Sequence, residues 1–115
     1  MFELCKEEIL RDNCDFNAVY SKGKSFANKN LVIHVLHEEK YNGKVGFAAG
    51  KKLGGAVVRN RVKRLLREAY RMCKKNLRSD CALIILGRKN LVDAKVDVAI
   101  KSFIELCVKA KLFKS

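Results

Sequence analysis

Residues 51–75 read KKLGGAVVRNRVKRLLREAYRMCKK, and this segment carries 10 of the chain's 25 lysines and arginines but a single acid, Glu68. At 3.6 residues per turn, residues 56–77 predict an amphipathic helix. The apolar arc of that helix comprises Val58, Val62, Leu65, Leu66, Ala69, Met72 and Cys73. The opposite side, here called the basic arc, comprises Asn60, Lys63, Arg64, Arg67, Arg71, Lys74 and Lys75, with Arg59 and Arg61 at its borders. Such a helix can bury one side in a core and present the other side to a polyanion.

Like charges recur at four-residue intervals along this predicted helix, at Arg59, Lys63, Arg67 and Arg71. A basic face that is only solvated usually interleaves glutamate with lysine, because i,i+4 pairs of opposite sign stabilise a helix and pairs of like sign destabilise it. Phosphates bound along the basic arc would offset that repulsion. We therefore favour a nucleic-acid interface over an ordinary solvated surface.

The whole chain is short and strongly basic. Its 115 residues fit a single domain, residues 1–115, and its net charge of +13 indicates an acidic partner, either nucleic acid or an anionic membrane surface. A membrane is the weaker alternative, because no apolar run approaches the ~20 residues of a spanning helix. The N-terminal MFELCKEEIL also lacks the basic start and long apolar stretch of a signal peptide.

The sequence does not assemble a common catalytic or metal-binding motif. It has no Walker loop, no G-x-S-x-G and no H-E-x-x-H, so we expect no catalytic centre built by the protein and no metal site. His34 and His37 lie three apart in a predicted strand, where they point to opposite faces and make a poor metal pair. The absence of a C-x-x-C pair predicts a reduced, cytoplasmic chain in which most cysteines act as small apolar residues. The five cysteines are Cys5, Cys14, Cys73, Cys81 and Cys107.

Upstream of the basic segment, residues 13–23 predict a short helix that Asn13 caps and Gly23 ends. Phe16 and Tyr20 lie on one side of it, and an aromatic pair at i,i+4 is ordinarily part of a core. LVIHVLH at residues 31–37 predicts a strand, with a short strand near residues 25–27 before it. Residues 41–43 predict a hairpin turn into a further strand at residues 44–49.

In the strand at residues 44–49, Gly46 and Ala48 leave one face nearly bare, which suits either a packed helix or the close approach of an extended ligand. Gly55 precedes the basic helix without a capping side chain, so the first N–H groups of the helix are open to a phosphate or to water. ALIIL at residues 82–86 predicts a buried strand. A final amphipathic helix begins near Asp93.

KKLGGAVVRNRVKRLLREAYR at residues 51–71 resembles the signature of the protein subunit of bacterial ribonuclease P. The resemblance continues through DFNAVYSKGKSFANKNLV at residues 15–32 and ALIILGRK at residues 82–89, so it extends over nearly the whole chain. It implies an α+β fold, an α-β-β-β-α-β-α two-layer sandwich that is ribosomal protein S5 domain 2-like. The Arg-rich central helix would lie in a left-handed crossover, although parallel strands are ordinarily joined by right-handed ones.

The resemblance also implies a function. The protein would assist endonucleolytic removal of the 5′ leader from precursor tRNA, while the catalytic RNA of ribonuclease P performs the chemistry with Mg²⁺ and the protein binds no cofactor. The expected partners are that RNA and the leader, in the cytoplasm, with neither DNA nor a membrane among them.

Carried over position by position, the resemblance assigns two sets of residues. The set expected to contact the catalytic RNA comprises Lys51, Lys52, Arg59, Asn60, Arg61, Lys63, Arg64 and Arg67, to which the basic arc adds Arg71. The set expected to line the leader cleft comprises Phe16, Tyr20 and His34. This changes the interpretation of the aromatic pair, because rings that grip single-stranded RNA stack on its bases.

The chain departs from the family pattern at a few positions. His34 replaces a usual aromatic residue, Gly50 and Gly55 replace a more frequent serine and asparagine, and the N-terminal residues are acidic. Two rival functions use the same features: a general single-stranded RNA-binding or chaperone protein, and a ribosomal-type protein that clamps folded RNA.

Overall fold

The computed structural model describes residues 9–10 and 13–114. The helices and strands follow the order α-β-β-β-α-β-α that the resemblance implies. They are α1 (Asn13–Lys22), β1 (Lys24–Ala27), β2 (Leu31–Leu36), β3 (Val45–Ala49), α2 (Ala56–Cys73), β4 (Ala82–Gly87) and α3 (Val96–Lys109). The acidic residues Glu3, Glu7, Glu8 and Asp12, the side chain of Asn13, and Cys5 lie outside the described residues.

The four strands form one sheet in the order β1-β2-β4-β3. The predicted hairpin between β2 and β3 is wrong, because β4 lies between them, antiparallel to β2 and parallel to β3. The turn does bend the chain at Gly43, where φ is +78°. However, Gly43 donates its N–H to the carbonyl of Cys81 at 3.1 Å, which directs the chain to the side of β4. β4 takes the central position because its side chains are apolar on both faces.

Alternation along the strands separates two faces of the sheet, as the sequence predicted for β2. One face carries Leu31, Ile33 and Val35, and it packs with α2 and α3 into the main core. The other face carries Leu36, Ala82 and Ile84, and it packs with α1 into a smaller cluster. Sheet and paired helices form the two main layers, and α1 crosses the second face.

The helix α2 buries a narrower and slightly rotated stripe compared with the predicted apolar arc. Its buried residues are Val62, Leu66, Ala69, Tyr70 and Cys73. Met72 was predicted to face the core, but it is 60% exposed, whereas Tyr70 is only 6% exposed. The helix is rolled toward Tyr70 because that ring packs against Phe47 at 5.9 Å and Phe103 at 6.4 Å between centroids. α2 ends at Cys73, and a 3-10 turn (Lys74–Asn76) follows it.

Among the described cysteines, Cys73, Cys81 and Cys107 are buried free thiols and Cys14 is exposed. The three buried thiols pack in the main core as small apolar residues, as the sequence predicted. Within the described part of the chain, no helix combines the length and the apolar character needed to cross a bilayer.

Candidate nucleic-acid interface

Three aromatic side chains meet where α1 crosses the sheet. The rings of Phe16 and Tyr20 lie 6.2 Å apart between centroids, and the ring of Tyr20 meets that of His34 edge to face at 4.7 Å. Phe16 and Tyr20 are one helical turn apart on α1, and His34 projects from β2 toward the same helix. The structure therefore brings together all three residues predicted to line the leader cleft, and we call this set the aromatic cleft.

Two glycines allow α1 to approach the sheet this closely. A Cβ at Gly46 would lie 2.7 Å from the Phe16 ring, so the bare face of β3 receives a ring from the packed helix. A Cβ at Gly23 would lie 2.5 Å from the carbonyl oxygen of Val19 and 2.7 Å from that of Val35. Glycine at these positions fixes where α1 ends and how deeply Phe16 inserts. Of the two uses predicted for the bare face, helix packing is the one observed at Gly46.

The cleft presents its rings partly buried and without charge. Phe16 and His34 are half-buried, and Tyr20 is 39% exposed. Burial raises the pKa of Tyr20 above its ordinary value. Burial also lowers the pKa of His34, so its imidazole is neutral at neutral pH in the free protein. The surface can therefore stack on a base without first neutralising a charge.

The basic arc of α2 divides into residues with protein partners and residues without them. Arg71 pairs with Glu68, and the Arg67 guanidinium lies over the Phe47 ring, 5.7 Å from its centroid. Arg61 donates from Nη1 to the carbonyl of Val92, just beyond the end of β4. These contacts place three of the predicted RNA-binding arginines in structural roles as well.

Asn60, Lys63 and Arg64 make no side-chain hydrogen bond or ion pair within the described part of the chain. They project from the first half of α2, and Asn60 and Arg64 are exposed. Their donors are available to a ligand, which fits the predicted contact with RNA. Arg59 lies beside them, and its buried Nε has no hydrogen-bond partner. A buried unsatisfied donor is costly, so a bound acceptor that reaches Arg59 would be favourable.

The start of α2 adds further donors. Gly55 is the residue that precedes the helix, and no side chain caps it, as the sequence predicted. Lys51 and Lys52 are exposed in a 3-10 turn (Lys51–Leu53) just before it. The free N–H groups at a helix N-terminus and nearby lysines both favour a negatively charged group.

Sequence reasoning left Arg88 and Lys89 unassigned, although both belong to the matching stretch ALIILGRK. In the structure they follow β4 and line a groove of about 360 Å³ that Lys52 and Leu86 also line. The parallel pairing of β3 with β4 brings Lys52 and Lys89 to the same end of the sheet. We call this space the strand-end groove. Arg88 also donates from Nη1 to the carbonyl of Asn28 at 2.9 Å.

Comparisons with known proteins agree with these features. A family model described as ribonuclease P matches residues 4–111. The ribonuclease P protein component of Alkaliphilus oremlandii is 42% identical over 107 residues, which cover 92% of this chain and 93% of that protein. The solved structure of the Staphylococcus aureus RNase P protein is similar with a TM-score of 0.82 at 29% identity, covering 93% of this chain and 98% of that one. The RNase P protein from Thermotoga maritima is similar with a TM-score of 0.74 at 26% identity, covering 86% and 94%.

Proposed function

Because this chain belongs to the ribonuclease P protein family, we propose that it binds both the catalytic RNA and the 5′ leader of precursor tRNA. As a ribonuclease P protein component it takes part in endoribonuclease activity and tRNA processing. The observation that carries the finer proposal is the aromatic cleft, in which Phe16, Tyr20 and His34 converge on one exposed side of the sheet.

The aromatic cleft is proposed to hold the leader. Single-stranded RNA is gripped by rings that stack on its bases, worth about 1–3 kcal/mol per base, and by cations that follow its backbone. Tyr20 and His34 supply partly exposed rings, and neither needs to change its charge to stack. Phe16 is anchored over Gly46, so its ring is held in place before a base arrives.

The same sheet face leads from the aromatic cleft to the strand-end groove. His34 is registered opposite Ile84, and two residues along the strands Val32 is registered opposite Leu86, which lines the groove. Two residues of a strand span about 7 Å, so the groove begins within a short distance of His34. Lys52 and Lys89 would there meet the phosphates that follow the stacked bases. This continuity supports a leader path along the sheet toward the end at which α2 begins.

The first half of α2 is proposed to contact the catalytic RNA. Asn60, Lys63 and Arg64 offer unused donors, and Arg59 carries a buried Nε without a partner. Arg61, Arg67 and Arg71 each retain further N–H donors beyond their contacts inside the protein, because a guanidinium carries five. A net charge of +13 adds long-range attraction to any RNA.

The chemistry itself is proposed to belong to the RNA subunit, which would use Mg²⁺ to hydrolyse the phosphodiester bond. The protein residues of the interface are cations and rings, which position RNA but do not activate water. The proposed partners are the catalytic RNA and the precursor leader, with neither DNA nor a membrane surface. The cytoplasm is the proposed compartment, and the buried free thiols Cys73, Cys81 and Cys107 are in keeping with a reducing environment.

Identification of the RNA bound in cells tests the proposal. The tagged chain is purified from its own organism at moderate salt, and the RNA that accompanies it is sequenced. One dominant structured RNA, together with precursor tRNAs that keep their leaders, is the expected result. A mixed population of RNAs would favour a general single-stranded RNA-binding or chaperone protein instead, and ribosomal RNA would favour a ribosomal-type clamp.

A further inference from the structure

A second cluster of chemically competent side chains lies where β2 ends and β4 begins, at the opposite end of β4 from the strand-end groove. His37 follows the last residue of β2, and Cys81 precedes the first residue of β4. Leu36 is registered opposite Ala82, so one further step along this antiparallel pair sets His37 beside Cys81. Asp80 adjoins Cys81. One ligand atom from each of the three side chains lies within 4.8 Å of the other two.

We propose that His37, Asp80 and Cys81 bind a divalent metal ion of the zinc class, which fastens the β2–β3 connection to the loop before β4. An imidazole nitrogen, a thiolate sulfur and a carboxylate oxygen are the donors that Zn²⁺ takes in proteins. Mg²⁺ prefers an all-oxygen set and would not select this one. As the metal–sulfur bond forms, the Cys81 thiol releases its proton to solvent, and a water completes the fourth position.

The distances between the donors suit such an ion. Three atoms within 4.8 Å of one another leave a point no more than about 2.8 Å from each, and zinc–ligand bonds are about 2.0–2.3 Å long. Each donor therefore needs to move by roughly half an ångström or slightly more. His37 and Asp80 are exposed and can rotate toward the ion, whereas Cys81 is only 3% exposed and forms the fixed inner ligand.

Backbone and amide contacts already hold the two ligand-bearing segments together. Gly43 donates to the carbonyl of Cys81 at 3.1 Å, and Leu83 donates to that of Lys44 at 2.9 Å. With its amide nitrogen turned toward its neighbours, Asn42 donates to the carbonyl of Asp80 at 3.0 Å and to that of Glu38 at 3.3 Å. The metal would bind to a frame that is formed before it arrives, which lowers the entropic cost of assembling the ligands.

The alternative is an ordinary polar surface in which Asp80 only pairs with Arg78. That ion pair uses the Oδ2 atom of Asp80, and a carboxylate has a second oxygen that can accept a metal at the same time. Cys81 belongs to the main core on the α2 and α3 face, which is the face opposite to the aromatic cleft. The proposed site is thus separate from the RNA-binding surface, and its effect would be on stability.

Cobalt substitution tests the proposal on the full-length chain after it has been reduced and freed of metal. Co²⁺ alone should bind one equivalent per chain, with the near-ultraviolet absorption of a thiolate–cobalt bond, and Zn²⁺ should displace it. His37→Gln should weaken Co²⁺ binding by more than roughly 100-fold, since even outer-shell changes cost 10- to 100-fold. Zn²⁺ should raise the melting temperature of the natural chain and leave that of His37→Gln unchanged.

Matched cysteine variants separate this site from other thiols. Cys14→Ser and Cys5→Ser should keep the absorption band and the Zn²⁺ effect on melting, whereas Cys81→Ser should lose both. If Cys81→Ser fails to fold, Asp80→Asn and His37→Gln decide the matter, because both positions are exposed. The proposal is overturned if no thiolate–cobalt band develops, if the band persists in folded His37→Gln, or if it depends on Cys5 or Cys14.

Discussion

At the residue scale, Phe16 combines packing with exposure. Its ring fills the space over Gly46 and joins the cluster that contains Val19, yet the side chain stays half-buried beside Tyr20. The sequence alone suggested a core pair, and the resemblance suggested stacking platforms. The structure reconciles these interpretations physically, because one side of a ring can pack on glycine while another part remains accessible to a base.

We predict that Phe16→Ala weakens binding of leader-bearing precursor tRNA far more than binding of mature tRNA. Loss of one stacked base should raise the precursor Kd roughly 5- to 150-fold, corresponding to about 1–3 kcal/mol. The half-buried ring should also stabilise the fold by about 1–2 kcal/mol, so melting must be measured beside affinity.

Val19→Ala is the matched control for this variant. Val19 lies on the same helix and is fully buried, so its truncation should lower stability without changing the ratio of precursor to mature affinity. Equal losses on both substrates for Phe16→Ala, with melting changed as in Val19→Ala, would return Phe16 to a purely structural role.

His34 introduces a titratable ring where the family usually places another aromatic residue. Burial lowers its pKa in the free protein, which favours the neutral imidazole. A leader phosphate nearby would favour the imidazolium and raise the pKa in the complex. Since the complex then binds more protons than the free protein, leader affinity should increase as pH falls from neutral toward 6.

The measurement is the precursor-to-mature affinity ratio across pH 6 to 8 for the natural chain and for His34→Tyr. We expect a slope in the natural chain that the tyrosine variant lacks. His37→Gln provides a control, because the chain's second histidine follows β2 beyond the aromatic cleft. Parallel profiles for the natural chain and His34→Tyr would show that His34 is not a charged leader contact.

At the scale of elements, local pattern predicted most of the fold, and long-range partners decided the rest. The order of helices and strands and the two faces of β2 follow from period and composition alone. The false hairpin between β2 and β3 arose because adjacent strands usually pair, whereas the apolar β4 enters from about forty residues downstream. The roll of α2 from Met72 to Tyr70 depends on two rings, Phe47 and Phe103, in other elements.

The candidate site shows the same division. Residue type and spacing predicted that α2 would carry an RNA-binding surface, but they could not show which cations have partners inside the protein. Arg61 bonds to a carbonyl 31 residues away, and Arg67 lies over a ring of β3. The contribution of Arg88 and Lys89 to the strand-end groove depends on the parallel pairing of β3 with β4. No local pattern contains that information.

The paired comparison of Arg61→Ala with Arg64→Ala separates these roles on α2. Arg61→Ala should lower stability by about 0.5–1.5 kcal/mol, because it removes the hydrogen bond to Val92. Arg64→Ala should leave melting unchanged, since Arg64 has no such contact within the described residues. Each variant should also weaken binding to the catalytic RNA and flatten the log–log salt dependence by roughly 0.7–0.9 per lost phosphate contact.

Arg59→Ala combined with Arg61→Ala should lose still more of that slope. The double variant should keep its helical circular-dichroism signal, because neither side chain belongs to the buried stripe of α2. An unchanged affinity and slope for all three variants would remove this half of α2 from the RNA interface.

At the scale of the whole molecule, two surfaces with different chemistry lie around one sheet. The aromatic cleft occupies the face crossed by α1, while the free donors of α2 project from the layer on the other face. The strand-end groove, with Lys52 and Lys89, lies at the end of β3 and β4 that precedes and follows these surfaces along the chain. A protein so arranged can hold a single strand on one side and a large RNA on the other. Its contribution to cleavage is then to bring the leader and the catalytic RNA into a fixed relation.

This arrangement predicts that the purified protein, without RNA, does not cleave precursor tRNA at any Mg²⁺ concentration. The interface supplies cations and rings, which bind and orient a phosphodiester, whereas hydrolysis also requires a group that activates water. Adding the catalytic RNA should restore cleavage at the mature 5′ end, and Phe16→Ala should reduce that cleavage most at low precursor concentration, where binding limits the rate. The control is a preparation of Arg64→Ala purified in parallel, which would carry the same contaminating nucleases. Cleavage by the natural protein that survives nuclease treatment of its RNA and is absent from that preparation would overturn the division of labour between protein and RNA.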